Sequence, residues 1–205
     1  MILNNKDYLK EIKMIDKVLG VKNDPEQETE KMLGTIVITP KVFKDDRGYF
    51  FESWNERDYR QLGISTHWIQ DNESKSCYGV LRGLHYQVGP YVQAKLVRVI
   101  NGTVLDVAVD IRKNSPTFGQ YFSVILSDEN KRQFFIPRGF AHGFVVLSKE
   151  VTFAYKVDNE WNKASERGIM WNDPYLNIDW QINEDDVILS EKDKQNDSFK
   201  EAEYL

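Results

Sequence analysis

One histidine stands among several cations in the stretch Arg82-Gly83-Leu84-His85-Tyr86-Gln87, which a short Gly/Pro break separates from Lys95-Leu96-Val97-Arg98. Both runs read as β-strands. Ionisable groups gathered on core-facing strands cost desolvation free energy, so a chemical use is the first reading. A neutral imidazole is a good general base near neutral pH, and a neighbouring carboxylate would raise its basicity and fix its tautomer. Arg82 and Lys95 could stabilise negative charge developing on a substrate oxygen, each such donor being worth about 3–4 kcal/mol. Base plus oxyanion cations suits proton abstraction next to a carbonyl. A phenol across the pocket, returning the proton to the opposite face, would invert the carbon. That chemistry is epimerisation, and it needs no cofactor.

A second segment, Pro137-Arg138-Gly139-Phe140-Ala141-His142-Gly143, has the spacing of the second cupin motif, a proline turn followed by an inward-pointing histidine. A metal-binding cupin adds a His-x-His pair and a carboxylate. The matching place here reads His85-Tyr86-Gln87, and of the two residues sharing a strand face only the histidine could bind metal. With three histidines in the chain, and His67 outside both motifs, a three-ligand site is hard to assemble, so a metal-free pocket is expected. Taken singly, each residue also has a bland reading. His85 and His142 could be hydrogen-bonded core groups, Tyr155 a packing aromatic, Arg82 and Lys95 ion-pair partners, and Trp161 an exposed loop ring.

The elements that must position these residues are strands. From Thr35 the apolar period is two, with strands read at Thr35–Thr39, Tyr49–Ser53, His67–Gln70, Val80–Tyr86, Lys95–Ile100 and Thr103–Ile111. Further runs follow at Gln120–Leu126, Arg132–Ile136, Gly143–Leu147 and Val151–Val157. Asn101-Gly102 between two such runs is the strongest short-range hairpin signal. One short helix is read over Asn55–Leu62, stopped by Gly63. So many short strands with almost no helix among them indicate an all-β antiparallel sandwich or barrel with a few short peripheral helices.

Residues 1–33 stand apart as an N-terminal extension with helical spacing from Leu3 to Leu19, and residues 34–205 form the body. Asp24 before Pro25 could start a second short helix. The acidic tail after Trp180 carries one apolar knot, Val187-Ile188-Leu189, which should pin it to that body. A net charge of −5 gives no reason to expect nucleic acid, and no apolar run reaches membrane-spanning length. Cys77, the single cysteine, excludes an internal disulfide and points to a reducing cytoplasm.

Taken together the motifs are specific. Gln70-Asp71-Asn72, Gly79 through Gln87, Lys95 through Arg98, Asp106 through Arg112, Ser115-Pro116-Thr117-Phe118-Gly119, Asn130-Lys131-Arg132-Gln133 and Ile136 through Phe144 closely resemble the dTDP-4-dehydrorhamnose 3,5-epimerase family, in order from about Lys41 to Asp193. The resemblance implies a metal-free cupin jelly roll, a homodimer, and dTDP-4-dehydro-6-deoxy-glucose as substrate. It also implies His85 as base, partnered by Asp193 of Leu189-Ser190-Glu191-Lys192-Asp193, and Tyr155 as proton donor. Arg82 and Lys95 would hold the C4 oxygen, and His142, supported by Asp106, would line the same pocket. Gln70, Asp71, Asn72, Glu166 and Lys192 match substrate-contacting positions, and Arg47 and Glu52 match residues that reach the nucleotide from the neighbouring subunit.

The sequence departs from the family where a tyrosine usually stacks on thymine and Trp161 stands instead, and where Ala94 replaces a common glycine. Two alternatives stay open on residues alone. One is an epimerase acting at only C3 or only C5, or a ketoisomerase, on a related nucleotide sugar; the other is a sugar-nucleotide-binding module without turnover.

Overall fold

The structure, a computed structural model, describes residues 28–204. The helices expected over 3–19 and from Asp24-Pro25 begin outside them. In chain order the strands are β1 (Glu28–Met32), β2 (Thr35–Thr39), β3 (Phe43–Asp45), β4 (Gly48–Phe50), β5 (Gln70–Cys77), β6 (Leu81–Gln87) and β7 (Lys95–Asn101). They continue as β8 (Thr103–Asp110), β9 (Tyr121–Ser127), β10 (Gln133–Ile136), β11 (Phe140–Val146), β12 (Glu150–Val157) and β13 (Glu166–Gly168). The helix α1 (Glu56–Gln61) forms where expected. The Asn55 side chain accepts from the Asp58 amide at its start, and Gly63, at φ +94°, turns the chain away at its end.

Two antiparallel sheets face one another, in the orders β1-β2-β10-β7-β12-β5 and β13-β6-β11-β8-β9, and β3-β4 form a separate exposed ribbon. The inward residues of both sheets, among them Val97, Ala108, Phe134, Phe144 and Phe153, make the main core. Burying each such large side chain contributes about 1.5–3 kcal/mol. The outer face of the five-stranded sheet is apolar too, through Leu84, Leu105, Val107 and Val145, because the C-terminal tail covers it with Leu176, Trp180 and Phe199. The knot at 187–189 does pin the tail. Ile188 exchanges backbone hydrogen bonds with Gly79 and Leu81, while Val187 and Leu189 pack on this second core.

Three local expectations are corrected. Glu28–Met32, assigned above to a helical extension, is a strand in full register with β2, so these residues belong to the body. Asn101-Gly102 joins two strands of different sheets rather than closing a hairpin. A two-residue type I′ turn needs positive φ at both central residues, and only Gly102 has it (φ +89°). The strand expected at 67–70 lies instead at 70–77, in a segment so polar that alternation could not reveal it.

Candidate active site

Arg82 and His85 are three residues apart, a spacing that puts side chains of a regular strand on opposite faces. A register shift in the β6–β11 pairing brings them to one face: His85 lies opposite His142, and Arg82 opposite Phe144. The bulge closes around Gly83, at φ +136°, where a Cβ would come 2.5 Å from the Gly143 Cα. Both side chains therefore point between the sheets. Arg82 donates across the gap to Ser76 Oγ of β5 at 3.2 Å.

His85 Nε2 lies 2.5 Å from Asp193 Oδ1. Burial works against the charged form of Asp193, but hydrogen bonds from His85 and Ser190 and the charge of Lys192 outweigh it and hold the carboxyl below its ordinary range. An ionised carboxylate only accepts, so Nε2 carries the hydrogen, and in the neutral ring the lone pair is then on Nδ1. The His85 side chain is 29% exposed and that of Asp193 4%, which leaves the imidazole reachable and its partner sealed.

Lys95 enters from the opposite sheet, reached by the Gly89–Tyr91 crossover. Its Nζ donates to His142 Nδ1 at 3.4 Å, and His142 Nε2 donates to Asp106 at 2.9 and 3.1 Å. Burial pushes His142 below its ordinary value and keeps the ring neutral, as these two bonds require. It also pushes Lys95 down to about 8, against the pull of Asp106 and Glu166. Tyr155 stands on β12, cross-strand from Val97 and from Asn72. Burial raises its phenol, with the Arg82 charge pulling it down and that of Glu166 pushing it up, so both charges reach it. An imidazole lone pair, two cations and a protonated phenol thus converge between the sheets from strands β6, β7 and β12. This arrangement can remove a proton from carbon, hold the resulting oxyanion and return a proton.

The family profile of dTDP-4-dehydrorhamnose 3,5-epimerase matches residues 29–201. The chain is 53% identical over 171 residues to the dTDP-4-dehydrorhamnose 3,5-epimerase of Shigella flexneri, covering 83% of this chain and 93% of the relative. The chain belongs to the dTDP-4-dehydrorhamnose 3,5-epimerase family.

Solved structures agree with this epimerase assignment and with the cupin jelly roll. The enzyme of Elizabethkingia anophelis superposes with a TM-score of 0.83 at 53% identity, covering 87% of this chain and 100% of that one. The dTDP-6-deoxy-D-glucose-3,5-epimerase of Legionella pneumophila, solved in complex with dTDP-4-keto-L-rhamnose, superposes with a TM-score of 0.82 at 48% identity, over 86% and 95% of the two chains.

In this epimerase His85, Asp193, Lys95, His142, Asp106, Arg82 and Tyr155 gather at one place. Glu166, cross-strand from Gln87, meets Lys192 at 2.5 Å beside them. The trio 70–72 is split by strand alternation. Gln70 bonds Asn72 on the Tyr155 side, whereas Asp71 turns outward to Lys156 at 2.8 Å. Arg47 and Glu52 lie apart from the cluster, Arg47 on the exposed ribbon paired with Asp45 and Glu52 beside Asn55. Trp161 is 58% exposed in the loop between β12 and β13. Sequence reasoning passed over Ser76 and Ser190, which steady Arg82 and Asp193; their signal was weak because small hydroxyl residues on a polar strand and tail look like solvent-facing ones. No cluster of three or more His, Cys, Asp or Glu among the described residues could hold a metal ion, and no described helix is long and apolar enough to cross a membrane.

Proposed function

We propose that this epimerase inverts C3 and C5 of dTDP-4-dehydro-6-deoxy-D-glucose to give dTDP-4-dehydro-L-rhamnose. The observation that carries the reading is the lone pair of His85 Nδ1, left by the Asp193 bond, in a pocket shared with Lys95, Arg82 and Tyr155. In the substrate chair the hydrogens on C3 and C5 are axial on one face and flank the C4 ketone. His85 takes one of them, and the bonding pair moves to the C4 oxygen as an enolate that Arg82 and Lys95 stabilise. The enolate pair returns to form a C–H bond with the Tyr155 proton on the opposite face of the same carbon. The imidazolium, paired with Asp193, then passes its proton to solvent and the Tyr155 phenolate takes one from solvent, which resets base and acid for the second carbon. Each step breaks and makes a C–H bond at one carbon, so no oxidant or cofactor enters.

Glu166, Lys192, Gln70, Asn72, His142 and Trp161 hold the nucleotide sugar in this reading. Arg47 and Glu52 reach it from the second subunit of a homodimer, which accounts for an exposed ribbon carrying Phe43, Tyr49 and Phe50. The unpaired Cys77 suits a cytoplasmic enzyme. Solvent deuterium tests the chemistry. NMR of the product is expected to show label at both C3 and C5. In Tyr155→Phe, label entry should outlast net inversion. Label at neither carbon in the unsubstituted protein overturns the reading.

A further inference from the structure

Gln87 stands two residues beyond His85, where a metal-binding cupin would carry its second ligand, and it is 5% exposed. Its carboxamide is occupied by backbone. Nε2 donates to the carbonyls of Tyr91 at 2.7 Å and Glu160 at 3.0 Å, and Oε1 accepts from the Asn162 amide at 2.6 Å. Two of those three partners are the immediate neighbours of Trp161. No hydrogen bond or ring contact with another described residue orients the indole, so its direction depends on the backbone that carries it. The start of the loop has its own anchors: the Asp158 carboxylate accepts from Ala94 N at 2.7 Å, and Asn159 donates to the Pro90 carbonyl at 2.8 Å. The stretch bearing Trp161 is tied to β6 through Gln87, which also holds the Tyr91 carbonyl of the crossover.

We propose that Gln87 is a positioning residue for nucleotide binding: by gripping the backbone on both sides of Trp161 it presents the indole to the base of the substrate. The inference rests on Trp161 being the base-stacking residue. An exposed aromatic that must be ordered on binding loses affinity to that ordering, and a preset one does not. A methionine at 87 has similar length but leaves two carbonyls and one amide unpaired, so the loop must turn them to water and carry the indole with it.

The test is a double-mutant cycle on dTDP affinity, measured by calorimetry with the full chain, using Gln87→Met, Trp161→Ala and the pair together. Gln87→Met is expected to weaken dTDP about ten-fold, the weight of roughly one unsatisfied buried polar group. In the Trp161→Ala background the same change should cost little further. KM for the nucleotide sugar should rise by more than kcat falls. Should Gln87→Met fail to fold, Gln87→Asn, one methylene too short to reach both flanks, takes its place in the cycle. Independent, additive losses overturn the inference, as does unchanged binding in the Gln87 variant while Trp161→Ala weakens it. Unchanged binding in Trp161→Ala instead removes the stacking reading on which the inference stands.

Discussion

His85 and Asp193 are 108 positions apart in the chain and 2.5 Å apart in the fold, joined because the tail runs back along β6. Ile188 bonds the start of that strand and Asn196 reaches the Gly83 carbonyl, so Asp193 is delivered between two fixed points. Asp193→Asn would present an amide to Nε2 and move the ring hydrogen to Nδ1, taking away the lone pair that faces the pocket. By analogy with wrong-tautomer variants of serine proteases, kcat is expected to fall by about 10³–10⁴. The drop is read in steady-state kinetics alongside circular dichroism, and a loss below ten-fold in a folded variant would remove Asp193 from the mechanism.

The alkaline limb of the pH profile should belong to Lys95. Burial lowers it to about 8, so it is charged below that pH and neutral above. Tyr155, raised by burial, stays protonated over the same range. If charged Lys95 meets the enolate oxygen, kcat/KM declines as pH rises through about 8. Lys95→Arg cannot deprotonate and should be slower but level there. A profile that stays flat to well above pH 9, about one unit past the midpoint, would exclude this role.

Away from the pocket, Asp110 is a stability device. Burial opposes its charge, but Arg112 at 2.6 and 2.8 Å, Ser115 at 2.5 Å and Thr117 at 2.6 Å prevail and bring the carboxyl down to about 2. A depressed folded value gives stability that is present above the unfolded value of 3.8 and disappears as pH falls through about 2. Asp110→Asn is expected to cost about 2–3 kcal/mol in urea unfolding at pH 7. The difference from the unsubstituted protein should shrink steadily in acid; a constant gap would assign the cost to packing.

Composite sites can be detected by mixing. Arg47 is 90% exposed and faces no residue of its own catalytic cluster. Arg47→Ala should raise KM and His85→Asn should abolish turnover. Co-refolded mixtures of the two should regain up to about a quarter of normal activity at low substrate, since a mixed dimer has one site with both lesions and one with neither. No recovery would mean that Arg47 serves the site of its own chain or none.

The sequence by itself determined the chemistry-bearing residues, the period-two body and the short capped helix at 56–61, because residue type, alternation and caps are local properties. It could not place β5, whose run Gln70-Asp71-Asn72-Glu73-Ser74-Lys75-Ser76-Cys77 is polar on both faces at the sheet edge. Nor could it see that Asn101-Gly102 changes sheets, since β7 and β8 already have both neighbours supplied from elsewhere. That Arg82 and His85 share a face was decided by a bulge made against β11, and that His85 keeps one nitrogen for chemistry was decided by a tail 108 residues downstream. Strand pairing and tail docking are contacts between distant segments, won by burial of the whole rather than by any preference of the segment itself. Local pattern says which side chains alternate; only the assembled sandwich says which of them meet.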